Sequence, residues 1–195
     1  MQKTITRPQG SARQHVLESA LSLFTEQGYF NTSVHDIARA STVSIGSIYH
    51  HFQDKEGIAR ALHHSLLDEM ESVLTGIVDR HENTHDRSRA IVELLFELAL
   101  DSPHKMAFML SAKHREFMPD EPPVCSSRPF GIMREIVTEG IRNGELYPND
   151  PLVAATCLFG GPIRMVNLHL DGILPKPLSH YLEEVWRCAW RGVSR

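Results

Sequence analysis

An all-α fold is what this sequence predicts: a small N-terminal three-helix unit containing a helix-turn-helix, then a larger helical domain, about nine helices in all. Three observations point there. Apolar residues recur three and four apart through nearly every segment, no stretch alternates at period two long enough to make a strand, and Gly and Pro punctuate the chain between the periodic runs. At 195 residues the chain has room for one good core, or for a module of about fifty residues fused to a larger body.

The first helix is predicted over residues 11–27. Val16, Leu17, Ala20, Leu21, Leu23 and Phe24 give it one apolar face, and Gly28 stands where a left-handed residue closes a helix. A short helix over 34–41 opens with Ser33 as N-cap and Asp36 three residues on, the capping-box spacing, with Val34, Ile37 and Ala38 facing inward. A second short helix, capped by Ser44, ends near Phe52; Val43 before the cap and Ile48 in the first turns staple its entry angle. Asp54 caps a long helix to about residue 80, with Ala59, Leu62, Leu66, Met70, Val73 and Ile77 along one side. Further helices are predicted over 86–101, 105–117, 130–143, 151–171 and 178–193, separated by Pro103, by residues 119–129, by Gly144 with Pro148, and by Gly172 with Pro175 and Pro177. The Gly160-Gly161-Pro162 run predicts a kink in the helix over 151–171, either to shape a pocket or to admit a neighbouring helix.

Composition narrows the function classes. No apolar run approaches the roughly 20 residues of a membrane span, and residues 1–10 carry Lys3 and Arg7 without the apolar stretch of a signal peptide, so the expected address is cytoplasmic with no membrane partner. Cys125, Cys157 and Cys188 are an odd, widely spaced set, which fits neither a disulfide framework nor a zinc site. Among the twelve histidines, the pairs His50-His51 and His63-His64 are adjacent and diverge by about 100° on a helix, so no metal is expected. The sequence holds no G-x-S-x-G, P-loop, Rossmann fingerprint or H-E-x-x-H, so neither catalysis nor a cofactor is expected. Charge is nearly silent: residues 1–60 carry six Lys/Arg against five Asp/Glu, and the rest fourteen against nineteen.

Two short helices joined by a tight turn and backed by a longer one can place the second helix in a DNA major groove, although the same pattern also occurs in purely structural bundles. The residues decide. Thr32-Ser33-Val34-His35-Asp36-Ile37-Ala38, then Val43-Ser44-Ile45-Gly46-Ser47-Ile48-Tyr49-His50-His51-Phe52, then Asp54-Lys55-Glu56 closely resemble the DNA-binding domain of the tetracycline-repressor-like (TetR) family, with T-x-x-D-I-A, V-S-x-G-T-L-Y-x-H-F and S-K-E in register over residues 12–62.

The resemblance implies an N-terminal arm and DNA-binding domain over 1–53 and a helical effector-binding and dimerisation domain over 54–195. Ser44, Ile45, Gly46, Ser47, Tyr49 and His50 would lie on the DNA side of the recognition helix. Gly46 would allow close backbone approach, Tyr49 would reach a phosphate or base edge, and Ile45 would touch a thymine methyl. Ser33, His51 and Lys55 resemble phosphate contacts, and His35 lies where the preceding helix reaches the groove. Thr42 departs from the family, which has glycine at that turn position. Lys3, Arg7 and Arg13 form either a phosphate-binding arm or a solvated leader.

Beyond residue 62 the resemblance is looser, though 139–146 with Asp150-Pro151 looks like a segment common before the family's last two helices. Phe159, Ile163, Val166, Leu170, Leu178, Tyr181, Leu182, Val185, Trp186 and Trp190 fall at helical spacing and are expected to form a four-helix bundle with a second copy, or else to complete the protomer's core. Met70, Phe96, Met106, Met109, His114, Phe117, Met133 and Phe159 are the candidate lining of an effector pocket, or ordinary core. The expected function is a ligand-responsive repressor: a homodimer on two-fold-related half-sites of double-stranded DNA about 34 Å apart, released by an unknown small molecule. The alternative is a helical ligand-binding or catalytic protein with a vestigial helix-turn-helix.

Overall fold

The structure, a computed structural model, describes residues 11–111 and 114–195; Lys3 and Arg7 lie outside the described residues. Among these the chain forms ten α-helices: α1 (Ala12–Glu26), α2 (Val34–Ser41), α3 (Ile45–Phe52), α4 (Lys55–Arg80), α5 (Thr84–Asp101), α6 (Pro103–Ser111), α7 (His114–Phe117), α8 (Arg128–Arg142), α9 (Pro151–Leu170) and α10 (Leu182–Arg191). No strand forms among the described residues, where β-pairing is confined to one bridge between Leu146 and Ser194. The chain divides into two compact units, the first ending at His63 and the second running from His64 to Arg195.

The first unit is built on caps that the sequence spells out. Ser11 accepts from the Gln14 amide, Ser44 accepts from the Ser47 amide, and Ser33 with Asp36 forms a complete capping box. Each cap satisfies an amide that the first helical turn would leave without a partner. α1 packs on both α2 and α3. Val16, Leu17, Ala20 and Phe24 from α1, Ile37 from α2, Ile48 and Phe52 from α3, and Ile58, Ala59 and Leu62 from α4 are all buried.

In the second unit α5 and α9 pack against each other and each against α6, α8 and α10, so the two form its centre. Asn83 caps α5, and the Glu145 carboxylate receives both the Thr84 amide and the Thr84 hydroxyl at 2.9 Å. Arg87 pairs with Glu139 at 2.8 Å. These bonds explain the segment over 139–146: its two carboxylates tie the turn after α8 to the first turns of α5. Gly140 sits between them, where a Cβ would come within 2.6 Å of the Thr84 side chain, so only glycine fits without a shift.

Three sequence expectations are corrected. The helix expected over 178–193 starts as a 3-10 turn, Leu178–Tyr181, and becomes α-helical only from Leu182, because Pro177 supplies no side-chain cap and the first turn winds tighter. The 130–143 helix starts at Arg128, with Pro129 in the first turn where its missing N–H costs nothing. A membrane-length apolar segment was not expected, yet α9 is 20 residues long with mean hydropathy 1.2. One-third of that stretch is buried, and α9 runs through Pro162 as one continuous helix packed on α5, α8 and α10.

Candidate nucleic-acid interface

α3 has only eight residues, so what it buries determines what it shows. Ile48 and Phe52 are 1% and 5% exposed, whereas Ile45 and Tyr49, along the edge of that buried face, are 38% and 48% exposed. Large apolar surface is left in water on a helix this short only at a cost of roughly 25 cal/mol per Å², which makes the pair a candidate contact surface. Between them Gly46 is open: a Cβ there would meet nothing within 4 Å. His50 and His51 are exposed and Ser47 is half-buried.

α2 contributes a second edge. Ser33 and His35 are exposed, but the Ser33 hydroxyl is engaged, accepting from the Asp36 amide at 3.2 Å and donating to the Asp36 carboxylate at 2.5 Å. Those bonds hold the Asp36 carboxyl below its ordinary pKa. Four residues after His35, and so on the same face, stands Arg39, whose side chain is 80% exposed beside Asp36 at 3.5 Å. Sequence reasoning passed over Arg39; the i,i+4 spacing from His35 was the signal that could have found it.

The link between the two helices is strained. Thr42 adopts φ 57° and ψ 22°, the left-handed conformation that the family's glycine takes without cost. At the other end of α3, Gln53 has φ 67° and ψ −52°, and the Asp54 amide donates to the Phe52 carbonyl at 2.8 Å, a γ-turn of the less favourable hand. That turn brings the Phe52 carbonyl to 1.9 Å from where a Cβ of Gly57 would be, so position 57 admits glycine alone.

Lys55, which the resemblance made a phosphate contact, is engaged within its own unit: its ammonium donates to the Tyr29 and Thr32 carbonyls, each at 2.9 Å, and lies 4.1 Å from the Tyr29 ring centroid. Burial pulls its pKa below the ordinary lysine value. Two of its three donors therefore close the loop between α1 and α2. Arg13 is exposed, with its guanidinium 5.7 Å from the Phe52 ring centroid.

In the second unit the proposed pocket residues separate into three groups. Met133 and Phe159 line a cavity of about 180 Å³ together with Cys125, Phe130, Arg134, Leu152, Ala155, Thr156, Gly160 and Ile163. Met70, Met106 and Met109 meet Met133 around a crevice of about 20 Å³ that shares Phe130 and Ile163 with the larger cavity. Phe96 is packed core at 2% exposure, and His114 and Phe117 meet edge to face with ring centroids 5.8 Å apart, so these three line neither space. Of the expected dimer residues, Phe159, Val166, Leu178 and Trp186 are buried within the protomer and present no surface to a second copy; its own core claims them. Ile163, Leu170, Tyr181, Leu182, Val185 and Trp190 are half-buried. The outward face of α9 instead carries Leu152, Val153, Thr156, Cys157, Gly161 and Arg164.

A short α2, a left-handed turn and an α3 that buries one face and offers the other define a helix-turn-helix protein with a helical companion domain. The family model described as "Bacterial regulatory proteins, tetR family" matches residues 16–62. By this unit, from within α1 into α4, the chain is similar to the tetR family. It is 35% identical over 94 residues to the HTH-type transcriptional repressor KstR2 of Mycobacterium tuberculosis (strain ATCC 25618 / H37Rv), a match covering 48% of this chain and 46% of that repressor. It is 50% identical over 46 residues to the HTH-type transcriptional regulator AcrR of Shigella flexneri, covering 24% of this chain and 21% of AcrR. The chain thus matches less than half the length of either relative. The fold extends further: the transcriptional regulator FadR from Bacillus subtilis, solved in complex with stearoyl-CoA, superposes with a TM-score of 0.80 over 92% of this chain and 98% of that one, at 20% identity.

Proposed function

We propose that the chain is a DNA-binding transcriptional regulator, a homodimeric repressor that releases its operator when a small molecule occupies the helical domain. The observation that carries this reading is the two-faced α3, with Ile48 and Phe52 anchored in the core and Ile45, Gly46 and Tyr49 presented outward. Tyr49 offers a hydroxyl to a phosphate or base edge, Ile45 a methyl-sized apolar contact, and Gly46 room for the backbone to approach. Ser33, His35, Ser44, Ser47, His50 and His51 complete the surface, and Arg39 joins them as a phosphate contact.

In this reading residues 1–53 bind DNA, and 54–195 bind effector and dimerise. The outward face of α9, with Leu152 and Val153 exposed on it, is the surface that a second copy covers. A two-fold dimer then matches two half-sites about 34 Å apart. α4 starts directly after the DNA-binding domain and runs past the boundary of the two compact units at His63, so a change in the effector domain reaches α3 through the short turn at Gln53. The protein acts as a regulator, not an enzyme, and works in the cytoplasm where its DNA is.

A gel shift with the duplex upstream of the protein's own coding region, run at 50 and 200 mM salt, tests the reading. A dimer neutralising about six phosphates loses on the order of 10³-fold in affinity between those salts. No shift at either salt overturns it.

A further inference from the structure

The cavity between α8 and α9 has an uneven lining. Phe130, Met133, Ala155, Phe159 and Ile163 make its walls apolar, and a single charged side chain, Arg134, stands among them. Arg134 gives one N–H to the Cys125 carbonyl at 2.9 Å and, among the described residues, faces no carboxylate at ion-pair distance. Its neighbour Arg128 takes both nearby acids, Glu135 at 2.6 Å and Glu71 at 3.5 Å. A guanidinium has five donors, so most of those on Arg134 remain for an anion at the solvent-facing edge of the apolar walls. Gly160 belongs to the same design. A glycine inside a helix costs about 1 kcal/mol relative to alanine, and here it leaves empty the volume that any side chain would fill.

The size narrows the ligand. An apolar cavity of about 150 Å³ accepts one benzene ring, and this one measures about 180 Å³. We infer that the cavity binds a small organic carboxylate, an acid whose apolar body is about the size of a benzene ring or a six- to eight-carbon chain and whose anion pairs with Arg134. Behind it, Met133 and Phe130 are shared with the methionine-lined crevice, so a longer chain finds soft side chains that can move aside. This rests on the second domain being the effector domain, and it names the effector's class.

The test uses the full-length protein without DNA. Calorimetric titrations with benzoate, hexanoate and octanoate are compared with benzyl alcohol, which matches benzoate in shape without the charge. Saturable binding of at least one acid is expected, weakened about tenfold or more by Arg134→Gln, in line with loss of a charge-assisted hydrogen bond, while benzyl alcohol is unaffected. Gly160→Leu fills the cavity and abolishes acid binding. In the wild type, the bound acid slows iodoacetamide alkylation of Cys125, read by peptide mass, and leaves exposed Cys188 unchanged. The inference is overturned if no acid binds, if benzyl alcohol binds as tightly as benzoate, or if Arg134→Gln is silent. Operator binding is measured separately by anisotropy. Acid binding without operator binding removes the proposed function and leaves the site standing; operator binding without acid binding does the reverse.

Discussion

Replacing Lys55 with methionine separates two roles that the sequence alone confuses. The ammonium holds the Tyr29 and Thr32 carbonyls at 2.9 Å and sits 4.1 Å from the Tyr29 ring centroid. Hydrogen bonds to a charged group are worth about 1.5–3 kcal/mol each when made by buried groups. Lys55 is only half-buried, and water takes over part of both bonds in the variant. The cation over the ring adds about 0.5–1 kcal/mol, and methionine keeps most of the apolar stem, so a total near 2 kcal/mol is the expected loss. For a unit of about sixty residues that lowers the melting midpoint by on the order of 10 °C. Urea denaturation followed by circular dichroism reads the stability, and anisotropy with the operator duplex at 10 °C, where the variant stays folded, reads the affinity. The expected result is an earlier unfolding midpoint with operator affinity within about threefold of wild type, less than 1 kcal/mol. An unchanged midpoint with a tenfold loss of affinity would show the ammonium to be a phosphate contact and the strut argument to be wrong.

Three further predictions follow from local geometry. Thr42→Gly relieves a β-branched residue at φ 57° and gains about 1 kcal/mol net, since about 1–2 kcal/mol of left-handed strain exceeds the added entropy of glycine in the unfolded chain; a lower urea midpoint for this variant refutes it. Gly140→Ala drives a methyl to 2.6 Å from Thr84 and costs about 1–3 kcal/mol, measured by thermal unfolding, with wild-type stability as the contrary outcome. The Ser33 bonds hold the folded pKa of Asp36 below its ordinary 3.8, so the ionised carboxylate favours the folded state: this stabilisation is fully present above 3.8 and is lost as pH falls through the lower folded value. Ser33→Ala should flatten that acid limb, and an acid titration by circular dichroism that is identical in variant and wild type would count against the capping box as its source.

What the sequence made legible was local. Ser33 with Asp36 and Ser44 with Ser47 are bonds three residues apart, so residue type and spacing suffice to place them. The burial of Ile48 and Phe52 was legible from their i,i+4 spacing, whereas the exposure of Ile45 and Tyr49, about 60° round the helix from them, follows from the packing. The bonds of Lys55 were not legible because its partners are backbone carbonyls 23 and 26 residues earlier, which no side-chain pattern records. Val166, Leu178 and Trp186 show the limit of periodicity: an apolar stripe says that a face is covered, and says nothing of whether the same chain or a second copy covers it. Of the cavity's lining the sequence singled out Met133 and Phe159, with Gly160 in a run able to shape a pocket; Ala155 and Thr156 gave no signal, because a space is announced by what is missing from its walls.

The account depends most on the outward face of α3 meeting DNA, and one titration tests it: anisotropy of a labelled operator duplex with wild type and with Tyr49→Ala at 100 mM salt, both shown by circular dichroism to be folded. Tyr49 is 48% exposed, so its loss leaves the core intact. The predicted result is a loss of affinity of about tenfold or more, the worth of one good contact at about 1.4 kcal/mol. Equal affinity for the two proteins would mean that another surface holds the duplex.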